Sequence, residues 1–515
     1  MPVQLQRYAF DGINRDLPPD RVVNQWTAGT GVQFRRGFGK ATKGDLAIFG
    51  ATAGALNGPD FLLNAWDGTD NFWLYGATDG VGVTDGASHK VITPTVFTTP
   101  LLNDAWTGGI LNGVPFLNYN ENQAAFWGKD FGTPTVMAVM ADAPECKAMR
   151  PYRFGLVAMD CEDSSHATIP TQPTTVAWSK FVDPGAVPSA VGDWTPSASN
   201  QAGFTELGPD EGRVIDGIQF RDDFLIGTTR GLWVMSLVGG NDVMAFRKLY
   251  STGGVLARNC MAEVDGNVFV LTSADLVVTD GNTVRSAIND INRKWLFDQI
   301  GDNASRAFLA FNEAERELWI AVPVGSDAYA KDVLVLDIDN GQFGIRNSGD
   351  ISHAAPGRNS VAIVSTWAGV LGTWAAQTRI WNQQSVGSVS DVLVWGDGSD
   401  GGQLYQADGT TDTTRTFLLE RQSLDFGNPG KVKTVTRVWP TLESDLAGEE
   451  VTVRVGTQNV PDDPVAWSNP VTMLTQTEQK ADVFQTGRYL SFRFTSAKFI
   501  GLTGFSVEYS ERGRF

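Results

Sequence analysis

Two groups of closely spaced carboxylates are the residues in this sequence best suited to do chemistry. Asp222 and Asp223 are adjacent, and Glu313, Glu315 and Glu317 alternate within one short stretch. Paired carboxyl groups flanking a sugar act as acid and base, or as acid and nucleophile, in glycoside hydrolysis. The aspartates, however, precede a strand where a hairpin turn is expected, and the glutamates belong to a strongly polar stretch. We therefore predict solvated turns at both places.

Histidine and cysteine chemistry has equally little support. The three histidines, His89, His166 and His353, are far apart, and no serine or cysteine lies in a Gly-x-Ser-x-Gly context. An odd number of cysteines without Cys-x-x-Cys spacing argues against a zinc site and against a disulfide framework. We predict three solitary buried thiols: Cys146, Cys161 and Cys260.

Two short motifs resemble ligand loops but lack required residues. The stretch from Asp337 to Gly341 opens like a calcium loop, yet its glycine comes one position early and the later glutamate is missing. A hairpin turn is the better interpretation. Gly39-Lys40 lacks the residue order of a phosphate-binding loop. The sequence thus assigns no catalytic, cofactor-binding or metal-binding residue, and we predict a protein that is not an enzyme and needs no cofactor.

Tryptophans are a further candidate, because a row of them could stack on sugars. Each lies in or beside an apolar strand, so we predict core or inter-blade packing for Trp73, Trp127, Trp233, Trp319 and Trp395. The repeated Ser-x-Asp-x-Gly-x-Thr-Trp box of sialidases is missing.

Composition narrows the class of protein. The 515 residues, 42% hydrophobic with 56 glycines, suggest two or three domains or one large closed repeat with an appendage. The formal net charge of −18 argues against conventional nucleic-acid binding, which relies on Lys and Arg. No run of about eighteen apolar residues and no secretion-signal profile appears, so we expect a soluble cytoplasmic product.

An apolar strand, a polar turn and a second apolar strand recur along the chain. Seven equivalent centres are Leu74, Phe116, Leu156, Leu225, Val270, Leu318 and Leu393. Four of the six steps between them span 40 to 48 residues, the range of a four-stranded propeller blade. Asp-Gly and Asn-Gly pairs supply the tight turns that antiparallel strands need. The predicted fold class is all-β, with a six- or seven-bladed β-propeller.

The domain prediction follows from this repeat and from its interruptions. Residues 1–55 are predicted as an N-terminal extended arm with short strands. Residues 56–410 form the propeller, with insertions near 161–215 and 340–390 that account for the two long steps. One short helix is expected within 284–299, where apolar residues approach helical spacing.

The last hundred residues have a different pattern. Apolar residues alternate with polar ones at 451–455, 490–494 and 505–509. Period-two alternation indicates strands with one buried face, so residues 411–515 are predicted to form a C-terminal β-sandwich.

Three stretches carry a family resemblance. The stretch 174–196 contains Trp178-Ser179, Asp183-Pro184 and Trp194-Thr195. It resembles a segment of the tail hub and nozzle proteins of short-tailed bacteriophages, the packaged-DNA stabilisation family. The opening around Gly12 and Asn14 and the C-terminal end 487–515 are similar to the same family.

The resemblance implies a structural subunit of the virion tail, assembled in the host cytoplasm. Self-association, as a homohexamer, would surround a channel that retains packaged DNA and conducts it during ejection. The implied partners are a head-to-tail adaptor ring above, tail fibres, needle or plug proteins below, and transient non-specific contact with genomic DNA. Carboxylates lining such a channel would repel phosphates and keep DNA from sticking. Residues 360–387 are the predicted gating loop.

The alternative prediction is a glycan-binding or glycan-degrading β-propeller protein. It would use the carboxylates or tryptophans considered above.

Overall fold

Each apolar centre of the sequence repeat lies on the second strand of a four-stranded blade. A computed structural model describes the chain except at residues 1–3, 36–37, 50–55, 69, 87, 99–100, 103, 121, 134, 241, 289–290, 359–390, 400–402, 411–414, 444–449, 462, 475–476, 499 and 515. Within the described residues, seven four-stranded blades follow one another in a propeller: five are separate sheets, and blades six and seven lie within a 13-stranded sheet that continues into the sandwich. The predicted fold class is confirmed, with a blade number of seven. The predicted gating loop lies outside the described residues.

The N-terminal residues supply five strands before the first complete blade. They are β1 (Gln4–Ala9), β2 (Ala28–Thr30), β3 (Val32–Arg35), β4 (Phe38–Ala41) and β5 (Gly44–Phe49).

Blades one to five are each built from four consecutive antiparallel strands, the first being the innermost. Blade one contains β6 (Pro59–Trp66), β7 (Asn71–Ala77), β8 (Gly80–Thr84) and β9 (His89–Val91). Blade two contains β10 (Trp106–Leu111), β11 (Val114–Tyr119), β12 (Ala125–Phe126) and β13 (Ala138–Val139). Blade three contains β14 (Ala148–Tyr152), β15 (Gly155–Met159), β16 (Thr175–Trp178) and β17 (Gly203–Glu206). Blade four contains β18 (Val214–Phe220), β19 (Asp223–Thr228), β20 (Leu232–Leu237) and β21 (Met244–Tyr250). Blade five contains β22 (Met261–Val264), β23 (Asn267–Leu271), β24 (Leu276–Thr279) and β25 (Val284–Ser286).

Blades six and seven share one long strand. Their strands are β26 (Phe308–Asn312), β27 (Glu317–Ala321), β28 (Ala330–Asp337), β29 (Phe343–Arg358), β30 (Asp391–Asp397) and β31 (Leu404–Thr410). The first part of β29 pairs with β28 as the outer strand of blade six, and its second part pairs with β30 as the inner strand of blade seven. The outer strand of blade seven is β5, from the N-terminal region.

The predicted short helix exists, but it is shorter than the stretch 284–299. It is α1 (Arg293–Asp298), because the first residues of the stretch form β25. The carboxylate of Asp16 accepts the backbone N–H groups of Lys294 (2.8 Å) and Trp295 (2.7 Å), which attaches the helix to the N-terminal segment. Two single 3-10 turns lie at Pro209–Glu211 and Ala304–Arg306.

The C-terminal residues form two sheets that face each other. Their strands are β32 (Phe417–Leu424), β33 (Lys431–Glu443), β34 (Glu450–Gln458), β35 (Ala466–Trp467), β36 (Val471–Leu474), β37 (Ala481–Gly487), β38 (Tyr489–Ser496) and β39 (Gly501–Arg514). One sheet has the order β2-β32-β38-β34 with β35 and β36 on β34. The other contains β37, β33 and β39, with β1 and β4 pairing with β39.

The alternation predicted in this region is confirmed. Val453, Phe492 and Val507 are fully buried between the sheets, whereas the intervening Arg454 and Glu508 are half-buried on the outer faces. A bridge between Val32 of β3 and Ile345 of β29 connects the second sheet to blade six. The strands of residues 1–55 therefore take part in both the sandwich and the propeller.

The ring closes between blades seven and one. The side-chain amide of Asn64 donates to the carbonyl of Arg358 (3.3 Å), and the N–H of Arg358 donates to Asn64 Oδ1 (3.2 Å). Ring closure removes the exposed end that a stack of sheets would otherwise have.

A buried ionic cluster holds β5 in blade seven. Arg346, whose side chain is fully buried, pairs with Asp45 of β5 and with Asp408 of β31 (2.8 Å). Asp45 also pairs with Arg415 and accepts the indole N–H of Trp395 (3.0 Å). Because residues far apart in the chain supply these charges, the cluster joins the N-terminal strand, both last blades and the start of the sandwich.

Removing the central carboxylate charge tests this cluster. Asp45→Asn leaves Arg346 buried with one anionic partner fewer, and we expect the free energy of unfolding to fall by about 2–4 kcal/mol. The exposed pair Arg358–Asp391 (2.7 Å) in the same blade is the matched control, and Asp391→Asn should cost less than about 1 kcal/mol. Urea unfolding of both variants measures the difference, and equal losses would show that the cluster has no special part in closure.

Candidate functional site at the propeller axis

The inner strands of the seven blades surround a cavity of about 370 Å³ on the propeller axis. One or more residues of every blade contribute to its wall. Most of this wall is apolar or backbone, including Phe61, Gly109, Pro151, Ile218, Phe311 and Pro356. Ligand sites of propellers commonly use such an axial space, so its polar groups decide what this one can do.

An ionic pair between neighbouring blades lines one side of the cavity. Arg150 of blade three donates to Asp216 of blade four through Nε (2.8 Å) and Nη2 (2.6 Å). Its guanidinium also donates to the carbonyl of Gly108 in blade two (3.1 Å) and to Asn259 Oδ1 beside blade five (2.7 Å). One side chain therefore links four neighbouring blades.

The hydrogen-bonding capacity of this pair is occupied by the protein itself. Besides Arg150, Asp216 accepts the backbone N–H groups of Gly217 and Asn259, both at 2.8 Å. Asn259 has a φ of +62°, a left-handed conformation that turns its backbone N–H and side chain toward the pair. These contacts make the pair a clamp between neighbouring inner strands.

A second, much smaller cavity of about 20 Å³ lies beside this clamp. Asp60 and Trp106 both line it and are nearly inaccessible to solvent. Tyr329 Oη donates to Asp60 Oδ1 (3.1 Å), while Asp60 Oδ2 and the indole N–H of Trp106 have no protein partner. The volume suits one water-sized molecule and no larger substrate.

Burial raises the pKa of Asp60 to about 7, because the carboxylate loses hydration that Tyr329 replaces only in part. His353 lines both cavities and accepts the N–H of Leu62 on Nδ1 (3.3 Å). Burial lowers the pKa of His353 to about 3, so its imidazole stays neutral. The axis thus holds titratable groups, but they are enclosed.

The predicted solvated turns are confirmed at Asp222 and Glu313, whereas Asp223 begins β19 and the half-buried Glu315 pairs with Arg35 (3.0 Å). Asp222 is exposed at the turn between the first two strands of blade four, and Glu313 is exposed in the turn of blade six. The prediction for Glu317 was wrong. Glu317 begins β27, is 1% exposed and pairs with Arg35 of β3 (2.7 Å), which the sequence places 282 residues away. Burial raises the pKa of Glu317 to about 7.

The three histidines lie in different blades, and each contacts a different partner. His89 contacts the hydroxyl of Tyr75 (2.9 Å), and His166 lies 3.7 Å from a carboxylate oxygen of Asp142. The three cysteines are free and buried, as predicted. Among the described residues there is no cluster of three or more His, Cys, Asp or Glu side chains able to hold a metal ion.

The other sequence candidates also have structural roles. Trp73, Trp127, Trp319 and Trp395 are at most 3% exposed, which confirms core packing, and Trp233 is half-buried. The stretch beginning at Asp337 is the predicted hairpin turn, where Asp337 Oδ1 accepts the N–H of Asp339 (2.9 Å).

The stretch that carries the family resemblance forms part of blade three and a folded loop outside it. Trp178 ends β16, and its indole N–H donates to the carbonyl of Gln201 (2.7 Å). Ser179 Oγ accepts the N–H of Leu156 (2.9 Å). Asp193 is buried and pairs with Lys180 (2.6 Å). These contacts order the loop.

Sequence reasoning missed the residues at the axis. Arg150, Asp216 and Asp60 belong to no local motif, since blades far apart in the chain bring them together. Their only sequence signal is a charged residue within an apolar inner strand.

Comparisons with known proteins leave the family open. No protein-family model and no curated protein matches the chain. Among solved structures, the extracellular domain of a putative hybrid two-component system from B. thetaiotaomicron is similar, at 9% identity and a TM-score of 0.37. That match covers 86% of this chain but only 54% of the other, so this chain spans about half of that structure.

Two further solved structures are similar, with smaller coverage of this chain and lower TM-scores. Apo AztD from Citrobacter koseri is 12% identical over 56% of this chain and 85% of its own, with a TM-score of 0.28. A mutant apocarotenoid oxygenase from Synechocystis is 11% identical over 79% and 93%, with a TM-score of 0.32. Function is therefore argued from this chain's own residues. None of its described helices is long and apolar enough to cross a membrane.

The buried carboxyl group at the axis predicts a pH-dependent stability. Because the pKa of Asp60 is higher in the folded than in the unfolded chain, folding is favoured by protonation, and stability falls as pH rises from about 4 to 7. Asp60→Asn should raise the free energy of unfolding by about 2–4 kcal/mol at pH 8 and by little at pH 4. Urea unfolding across this range measures it, with Asp222→Asn as the exposed control. An equal effect at both pH values would contradict a titrating Asp60.

Proposed function

We propose that this protein is a structural subunit of a short phage tail, similar to hub or nozzle proteins, that forms an oligomeric channel for packaged DNA. The family resemblance of residues 174–196 and of both chain ends supports this role. The surface that would line the channel is the outside of the chain, because the axial cavity of about 370 Å³ is too small for a nucleic acid.

The distribution of charge is the observation that carries the proposal. Residues 56–410 contain 41 acidic and 21 basic side chains, a difference of 20 negative charges, whereas residues 411–515 contain 13 acidic and 12 basic ones. The propeller is thus strongly acidic and the sandwich nearly neutral. A wall of acidic propellers repels DNA phosphates, so a duplex passes between them without being retained.

The clamp determines where such a path would run. Arg150 and Asp216 line the cavity at the propeller axis, and its volume of about 370 Å³ is far too small for a nucleic acid. DNA would therefore pass between subunits, around a symmetry axis outside the single chain. This agrees with the expected homohexamer, which docks on an adaptor ring above and meets needle, plug or fibre proteins below.

Electron microscopy of the purified chain tests the proposal. We expect rings with an open bore, either at high protein concentration or on the tail vertex of genome-emptied particles of the phage that encodes the chain. Genome-filled particles, whose vertex is already occupied, are the control and should bind no added chain. A chain that stays a compact monomer and never joins an emptied particle would remove the proposal.

The alternative, a glycan-binding propeller, has one exposed aromatic side chain in its favour. Trp66 ends the inner strand of blade one and is 58% exposed, so its ring is available for stacking on a sugar. If the chain binds a glycan on an array, Trp66→Ala should abolish the signal, and Phe154→Ala, at an aromatic residue of similar exposure in blade three, should not. Wild-type protein that binds no glycan would exclude this alternative.

A further inference from the structure

One sheet of the sandwich ends in two unpaired strands. At residues 4–6 of β1, its order is β37-β33-β39-β1. Within the described part of the chain, β1 pairs with β39 and β37 pairs with β33, and no strand lies on their outer sides. The backbone N–H and C=O groups along these two edges are available for pairing with another strand.

Each edge carries exposed apolar and charged side chains. On β1 the outward residues are Leu5, which is 69% exposed, and the exposed Arg7. On β37 they are Phe484, which is 70% exposed, and Asp482, whose side chain is 67% exposed. Large apolar residues are uncommon at such exposure on a strand edge, because they promote association.

The direction of the strands suits repeated addition of identical copies. Neighbouring strands alternate in direction through β1, β39, β33 and β37, so β1 and β37 run opposite ways. When copies are related by rotation about an axis along the strands, β1 of one copy and β37 of the next are therefore antiparallel. The alternation continues across the contact without a break.

We propose that copies of this chain join edge to edge, with β1 of one copy pairing antiparallel to β37 of the next. The occupant is a second copy because the two edges are complementary. One register places Leu5 opposite Phe484 and, two residues on, Arg7 opposite Asp482. Apolar residues then face each other and opposite charges meet. Lys480 and Arg437 already contact Asp482, so Arg7 extends an exposed ion-pair network.

This register includes a small stagger. Within one chain, Leu5, Glu508, Arg437 and Asp482 form one row across the sheet. Pairing Asp482 with Arg7 of the next copy shifts each copy by two residues relative to that row. An even shift keeps outward residues on the outer face, and closing a sheet into a ring requires a stagger.

The other sandwich sheet is less suited to this contact. Its edges are the three-residue β2, which packs against Ile13 and Leu419, and the short β35 and β36. A head-to-tail contact between two different edges closes into a ring or continues as a filament. The expected number of copies in the ring is inferred from the proposed tail function. The contact itself is inferred from the two edge strands alone.

Cysteine pairs test the register. Leu5→Cys with Phe484→Cys places two thiols on directly opposite residues of neighbouring copies, within reach of a disulfide. Mild oxidation should give a ladder of covalent oligomers that reductant removes. Ala9→Cys with Phe484→Cys is the control, since four residues out of register separate the thiols by about 14 Å. The native thiols are buried and should not contribute.

Charge reversal tests the same contact without cysteines. Arg7→Asp should weaken self-association about two- to fivefold in analytical ultracentrifugation, because the exposed ion pair with Asp482 is lost while Lys480 and Arg437 still neutralise that carboxylate. Adding Asp482→Arg to this variant should restore association. A general loss of folding would not be restored by the second change, and circular dichroism checks folding directly.

The outcomes separate this proposal from the tail function. Rings on emptied particles without the matched ladder, and with no effect of Arg7→Asp, would overturn the edge contact and leave the tail role intact. A matched ladder with charge rescue, but no ring and no particle binding, would support the contact and remove the tail role. A chain that is monomeric under all these conditions would overturn both.

Discussion

The whole fold depends on closing the last blade with a strand from the beginning of the chain. A blade has two apolar faces, and a ring of blades buries them only when every sheet is complete. The strand β5 completes blade seven, and Arg346 holds it through Asp45 and Asp408. Burying these charges is costly, so the cluster forms only when all its partners arrive together. This requirement selects one closed arrangement over open stacks of blades.

The same closure fixes the sandwich relative to the propeller. Between β1 and β5 the N-terminal chain contributes to both sandwich sheets before it enters blade seven. Arg35, in the middle of this segment, pairs with Glu317 of blade six. The chain therefore begins and ends in the sandwich, and the two units share a segment in place of a flexible linker.

The polar groups at the propeller axis are largely engaged with one another. Many propellers use the axial space to hold a ligand, but Arg150 and Asp216 line it here and satisfy each other. The small cavity beside them admits one water-sized molecule. The outer surface of the chain has a strongly acidic propeller and a sandwich sheet with two unpaired edge strands. Both features underlie the proposed role of the chain as one of several copies.

The sequence by itself determined the repeating architecture. All seven predicted centres, from Leu74 to Leu393, lie on second strands, and the alternation at 451–455 and 505–509 marks buried and outer faces. These features are local, because strand periodicity and turn residues act over a few positions. Only the tertiary structure decided the rest. The sequence around Glu317 predicts a polar turn, but in the fold Glu317 is buried and pairs with Arg35, which is 282 residues away. The strand β29 belongs to two blades because blades six and seven lie on either side of it in the ring. Such contacts join residues that are distant in the chain. The periodicity of side chains along a strand does not indicate which distant residue will lie next to it in the fold.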